Sequence, residues 1–263
     1  MALHVVSDPH GHRDELVRAL QAARLLDAAE GWAGGTDRLW VLGDFFDRGP
    51  DGVGVVDLVR RLQGEAAAAG GQVGAVLGNH EVLALGTHRF GETRVGGHRG
   101  SSFAASWVLN GGLADDQERL TDDHLAWLAA LPAVVVVDGW LLMHSDTTEY
   151  LKWGGSVDEV NEAIRAALSG GVESMWAVWS DLTDRYAFSG RHGERAAARV
   201  LAQLGGERIV HGHSIVATLQ PGHPDPTATT SPLSYAGGLA LAVDGGLYAG
   251  GPLLMVSLPP PPR

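Results

Sequence analysis

Short apolar runs alternate with helix-period stripes through the first third of the chain. Residues 3–6 form a buried-type run and predict a strand. Residues 13–29 follow with Leu16, Val17, Leu20 and Ala23 on one face, which predicts an amphipathic helix. Residues 38–42 predict a second strand. Pro50 suits the first turn of a following helix, whose apolar stripe is Val55, Val56, Leu58, Val59 and Leu62. Residues 72–77 predict a third strand. This strand–helix alternation implies a sheet covered by helices, with right-handed parallel crossovers.

The rest of the chain is less regular. Residues 86–112 are rich in glycine, histidine and arginine and predict mostly loop, with a short helix around Trp107. Thr121-Asp122-Asp123 opens a helix that must end before Pro132. Residues 133–137 and 140–143 predict two strands joined at Asp138-Gly139, a hairpin signal. Ser156 and Glu159 predict a capping box, and Gly170 the end of that helix. Residues 194–204 predict a helix, and 208–210, 239–243 and 253–258 predict late strands. Residues 221–232 carry four prolines and much Ser/Thr, which predicts a mobile surface loop without helix or strand. Residues 259–262 predict an inert polyproline-like tail. No internal repeat or linker stands out.

Composition removes several classes of function. The 263 residues include no cysteine, so disulfides, thiolate zinc, iron–sulfur clusters and a cysteine nucleophile are excluded. Nineteen basic against 31 acidic residues give a formal charge of −12, a sign that disfavours binding to a nucleic acid duplex. A small anionic substrate stays open, because a bound cation inverts the local field. No apolar run approaches the ~20 residues of a membrane span, and the N-terminus lacks a signal-peptide pattern. The expectation is a cytoplasmic protein without a membrane partner, its oligomeric state open.

The chemistry lies where the strands end. The first strand leads into Ser7-Asp8-Pro9-His10-Gly11, and the second into Gly43-Asp44-Phe45-Phe46-Asp47-Arg48-Gly49. The third leads into Gly78-Asn79-His80-Glu81. Later strands lead into His144-Ser145-Asp146 and His211-Gly212-His213. Ligands of open α/β sheets bind beyond the carboxyl ends of strands, so these segments are expected to converge. Carboxylate, imidazole and amide oxygen without sulfur suit manganese, iron or zinc. The set exceeds what one tetrahedral ion needs, and two ions about 3.5–4 Å apart can share one water.

These motifs in this order resemble the calcineurin-like metallophosphoesterase superfamily, and within it the phosphoprotein phosphatase branch. That branch includes bacterial and phage serine/threonine phosphatases and symmetrical diadenosine tetraphosphatases. Residues 107–112 resemble a segment of the phage-type members, and residues 242–254 their closing strand pair. The likeness covers nearly the whole chain, loosely outside the motifs. It implies an α/β fold, a four-layer αββα sandwich of two mixed sheets flanked by helices. A single domain over residues 1–263 is expected, with variable insertions around 86–120 and 145–205 on the substrate side.

Carried over residue by residue, the resemblance implies that Asp8 and His10 ligate a first metal ion. Asp44 bridges two ions, and Asn79, His144 and His213 ligate the second. Manganese is the expected metal, with iron or zinc as alternatives. A hydroxide between the ions would attack phosphorus directly. His80 would protonate the leaving oxygen, Asp47 would orient His80, and Arg48 would grip phosphate. The expected substrate is a phosphomonoester, foremost phosphoserine or phosphothreonine in a phosphorylated protein. The alternative is a dinucleoside polyphosphate or another small phosphorylated metabolite. A rival from another class is a non-catalytic, metal-binding regulator that docks a phosphorylated partner.

Two departures bear on these expectations. Ser7 stands where the family usually has glycine. A second phosphate-gripping arginine, often found after a tryptophan, is replaced near Trp179 by Asp181. Arg185, Arg191 or Arg195 are candidates to stand in for it. Asp146 and His211 are expected to support the site rather than ligate. The histidines at 88, 98, 124, 192 and 223 lack a motif, and the tryptophans at 107, 153, 176 and 179 are expected mostly to pack.

Overall fold

A computed structural model describes residues 1–96 and 101–259. His98 and nearly all of the proline tail lie outside the described residues. Among the described residues nine strands form two sheets: β1 (Leu3–Val6), β2 (Arg38–Val41), β3 (Gln72–Ala75), β4 (Val134–Val137), β5 (Trp140–Met143), β6 (Arg208–His211), β7 (Leu233–Tyr235), β8 (Ala240–Ala242) and β9 (Val256–Leu258). The first sheet has the order β3-β2-β1-β9, and the second β4-β5-β6-β8-β7. Strands β1, β2 and β3 are parallel, and β9 closes the edge antiparallel to β1. In the second sheet β5, β6 and β8 are parallel, flanked by antiparallel β4 and β7. Both sheets are therefore mixed, as expected.

Alternation along each strand explains the layering. Leu3, Val5, Trp40, Leu42, Trp140, Leu142, Val210 and Val243 form one buried cluster between the sheets. Their neighbours Val6, Leu39, Val41, Leu141, Met143 and Ile209 face the other way and join the large core made with the helices. Successive strand residues point to opposite faces, so each sheet has an inner face toward its partner sheet and an outer one under helices. The buried polar side chains concentrate where the strands stop.

Several helices differ from expectation. The first spans only Arg13–Ala22, because Arg24 turns left-handed (φ 60°). The Asp27 carboxylate then accepts from Ala29 and Gly31 N–H, a local turn that competes with helix. Asn79–Phe90 is helical where loop was expected from residue 86, and Ala114–Arg119, Val172–Thr183 and Val216–Leu219 are additional helices. The short helix Phe103–Leu109 falls where Trp107 predicted it. At 156–159 the box is half formed: Ser156 accepts from Glu159 N–H, while Glu159 reaches back to Gly155. Residues 226–228 make one 3-10 turn capped by Asp225, inside the segment expected to be without helix.

Removing a side chain from the narrow layer between the sheets should be costly. Leu142→Ala is expected to lower unfolding free energy by about 3 kcal/mol, measured by urea denaturation. A loss below about 1 kcal/mol would show that the two sheets are not tightly packed there.

Candidate active site

All five strand-end segments meet at one edge of the two sheets. The loops after β1 and β2 are laced together by His10 N–H to Asp44 C=O (2.9 Å) and Gly11 N–H to Phe45 C=O (2.7 Å). Six residues singled out from the sequence have left-handed backbone: Asp8 (φ 53°), His10 (42°), Asp44 (57°), Asp47 (70°), Arg48 (72°) and His213 (62°). Each costs on the order of 1 kcal/mol or more and persists only where surrounding bonds over-determine it. Two glycines make the close approach possible. Gly43 has φ +88°, and a Cβ there would lie 2.7 Å from Gly78 N; one on Gly212 would lie 1.7 Å from Ser7 Oγ. The serine that replaces the family's usual glycine is thus accommodated against Gly212, and its hydroxyl donates to the Asp8 carboxylate.

The imidazoles are oriented by backbone. His10 Nδ1 faces Phe46 C=O at 2.9 Å, His144 Nδ1 faces Leu42 C=O at 2.7 Å, and His213 Nε2 faces Thr183 C=O at 3.0 Å. A carbonyl only accepts, so each of these ring nitrogens carries the proton and the other nitrogen keeps its lone pair. Those lone pairs converge. His144 Nε2 lies 2.9 Å from Asn79 Oδ1, 3.1 Å from His213 Nδ1 and 3.3 Å from Asp44 Oδ1. Four acceptor atoms meet there with no proton to share among them. His10 Nε2 and His80 Nε2 stand 3.6 and 3.8 Å from Asp44 Oδ2 on its other side. Two ligand-type groups result, His10–Asp44–His80 and Asp44–His144–His213, with Asp44 common to both. Clustered lone pairs repel unless a cation lies among them, so this donor set fits a pair of divalent ions.

Electrostatics point the same way. Burial first, and the Asp44 charge second, push the Asp8 carboxyl up to about 8. Burial also acts to raise Asp44, but the imidazoles of His144, His80, His10 and His213 hold it below the usual range. Burial lowers His144, and lowers His10 and His213 strongly, which keeps their lone pairs free. Two carboxylates buried side by side need nearby positive charge to ionise together. Asp8 differs from its expected surroundings in one respect. Its carboxylate accepts from Ser7 Oγ and from His213 N–H (3.0 Å), and His80 rather than Asp8 completes the group around His10.

His80, Asp47 and Arg48 stand beside this cluster. His80 Nδ1 is 2.5 Å from Asp47 Oδ2, and Asp47 Oδ1 accepts from the Trp107 indole at 2.9 Å. Arg48 Nη1 donates to His10 Nε2 (2.8 Å) and Nη2 to His80 Nε2 (3.1 Å). Its Nε and backbone N–H are held by Asn110 and Gly111 carbonyls. The Tyr248 ring lies 3.8 Å from the guanidinium carbon and edge-on to His10.

The structure thus brings together Asp8, His10, Asp44, Asp47, Arg48, Asn79, His80, His144 and His213. It does not bring in Asp181, whose carboxylate accepts from Trp153 (3.0 Å) and Lys152 (3.4 Å). Of the three stand-in arginines, Arg185 is the one whose charge reaches His213 and Tyr248. His211 turns to Tyr235, because the left-handed His213 breaks the strand alternation between them. Sequence reasoning missed Glu81, whose buried carboxylate accepts from Asp44, Phe45 and Gly78 N–H at 2.8–2.9 Å. It also missed Tyr248, whose ring lies against Arg48, and the Trp107–Asp47 bond. Glu81 alone carried a signal, as an acid in the first turn of a helix whose start is otherwise uncapped by a side chain.

A family profile described as calcineurin-like phosphoesterase matches residues 1–217, and the chain belongs to that family. Serine/threonine-protein phosphatase 1 of Salmonella typhimurium is 33% identical over 138 residues, covering 52% of this chain and 50% of that protein. The symmetrical bis(5'-nucleosyl)-tetraphosphatase of Salmonella paratyphi A is 35% identical over 85 residues, 32% of this chain and 25% of its own length. The matches span half or less of these two curated relatives. A cold-active protein-tyrosine phosphatase of a Shewanella species shares the fold, with a TM-score of 0.73 at 23% identity over 98% of this chain and 75% of that one. Among the described residues no helix is long and apolar enough to cross a membrane.

Glu81→Gln would place an amide N–H₂ against backbone donors. It is expected to cost about 2–4 kcal/mol of stability and to weaken manganese binding, read by denaturant unfolding and calorimetric titration. Unchanged values in both would refute the anchoring role.

Proposed function

We propose that the chain is a metal-dependent phosphomonoesterase acting on phosphoserine or phosphothreonine in proteins, with manganese as its metal and iron or zinc as alternatives. The observation that carries this reading is the convergence of imidazole, amide and carboxylate lone pairs beside an arginine fork. Asp8, His10 and Asp44 would hold one ion; Asp44, Asn79, His144 and His213 would hold the other. Two bound cations supply a positive field that holds phosphate and lowers the pKa of an attacking water.

The remaining residues do the positioning and the proton transfer. Arg48 presents Nη1 and Nη2 side by side toward the cluster, a geometry that suits two oxygens of one phosphate. Tyr248 stacks on the guanidinium and limits its rotation. Asp47 accepts from His80 Nδ1, which fixes the ring with Nε2 facing the cluster, from where it would pass a proton to the leaving oxygen. The Trp107 indole keeps the Asp47 carboxylate turned that way.

Trp107, Asn110, Gly111 and Thr183, from the expected insertions at residues 86–120 and 145–205, bond to residues of the site, so we place the substrate face there. Exposed Val108 and Leu109 adjoin the carbonyls that hold Arg48. An apolar rim of this kind suits a polypeptide flanking the phosphate better than a free polyanion.

Metal-free protein is expected to be inactive on p-nitrophenyl phosphate and to gain activity with manganese. A phosphopeptide should be turned over faster than diadenosine tetraphosphate; the reverse order would favour the dinucleotide reading. His80→Asn should abolish turnover and leave manganese content unchanged, measured by elemental analysis. Retained turnover would refute the acid role. Arg185→Ala is expected to raise KM about tenfold with kcat little changed, while Arg195→Ala leaves both unaltered.

A further inference from the structure

Beside the two loops that carry His144 and His213 lies a buried polar network that the reaction does not use. Asp146, His211 and Ser214 are inaccessible to solvent. Asp146 Oδ1 accepts from Ser214 Oγ at 2.5 Å, and Oδ2 from the Tyr235 hydroxyl at 3.0 Å. The same hydroxyl lies 2.7 Å from His211 Nε2. Asp146 follows His144 by two residues, and Ser214 follows His213 by one. The carboxylate therefore straps one imidazole-bearing loop to the other, and Tyr235 ties the strap to the edge strand.

The strap is needed because regular pairing stops short of the site. Strands β5 and β6 are in register up to Met143 opposite His211. Beyond that point, Gly212 N–H to His144 C=O (2.9 Å) is the backbone bond that joins the loops. His213 then adopts its left-handed backbone, which must be held by neighbours. Asp146 also accepts Ala187 N–H on its carbonyl (2.9 Å), four residues along the chain from Thr183, whose carbonyl orients His213. Thr147 Oγ1 donates to Asp184 at 2.6 Å and closes the same ring of contacts. Every one of these bonds bears on the loops of His144 and His213. The loops of His10 and His80 are held mainly through Phe46, Asp47 and Glu81, with His213 N–H to Asp8 joining the two sides.

We propose that Tyr235 and Ser214, acting through Asp146, are positioning residues that set the affinity of the ion site formed by Asp44, Asn79, His144 and His213 in preference to that of its neighbour. This inference rests on the ligand assignment proposed above. Loss of a partner that holds a ligand in place typically weakens metal binding by ten- to a hundredfold.

Manganese is titrated into the metal-free full chain by calorimetry, and the bound pair is followed by electron paramagnetic resonance. The wild type should bind two ions and show a spin-coupled pair. Tyr235→Phe deletes one oxygen and keeps the ring. It is expected to weaken one of the two ions about tenfold, leave the other unchanged, and show an uncoupled single-ion signal at two equivalents. The melting temperature of the metal-free protein should match the wild type. Ser214→Ala should act in the same way, and Tyr186→Phe, on a tyrosine bonded to Thr218 instead, should match the wild type. Two affinities equal to the wild type in Tyr235→Phe and Ser214→Ala would overturn the proposal. So would equal weakening of both ions together with a fall in melting temperature, since that marks a purely structural role. A wild type that binds fewer than two ions would instead overturn the ligand assignment beneath it.

Discussion

The protein is organised around the placement of ring protons. Each of His10, His144 and His213 spends its single N–H on a backbone carbonyl, from Phe46, Leu42 and Thr183 respectively. That choice leaves every inward-facing nitrogen as a lone pair, next to the Asp44 carboxylate and the Asn79 amide oxygen. Such a cluster is electrostatically unfavourable by itself and becomes favourable around cations. Two of the carbonyls come from the loop after β2 and the third from the end of the helix Val172–Thr183, so the tautomers are set only when those segments are in place. Folding and site assembly are one event here.

The backbone absorbs the cost of bringing these groups together. Left-handed residues follow β1, β2 and β6, where the chain must turn sharply at the end of a strand to aim a carboxylate or imidazole back across the sheet edge. Glu81 offsets part of that cost by pinning the β2 loop and the start of its own helix with three backbone bonds. Asp146 does the corresponding work for the loops of the second sheet. Two buried carboxylates thus hold the scaffold, while Asp8 and Asp44 face the centre. Sorting these four acids requires knowing what each oxygen accepts.

The arginine fork shows how segments outside the motifs serve this centre. Arg48 lies in a motif, yet its pose depends on the carbonyls of Asn110 and Gly111 and on the Tyr248 ring. Asp47 likewise depends on Trp107, an aromatic expected mainly to pack. A residue type announces that it can bond to phosphate or a carboxylate, but only its neighbours decide where it points. Asp181 illustrates the opposite outcome, an acid whose partners Trp153 and Lys152 draw it away from the site.

The sequence by itself determined the family, the two-sheet architecture and the nine residues at the centre. Strand ends are local events, and motif spacing survives divergence because loops of fixed length must reach a common point. Alternation of apolar residues located most strands for the same local reason. Weaker periods were lost: the helices Asn79–Phe90 and Val172–Thr183 form because packing buries one face of each, and β7 is a three-residue edge strand with almost no pattern of its own. Only the tertiary structure decided that His211 turns away while His213 turns in, that Ser7 seats against Gly212, and that the Arg185 charge acts on His213. Those outcomes depend on contacts between residues tens to hundreds of positions apart, whose geometry no local pattern encodes.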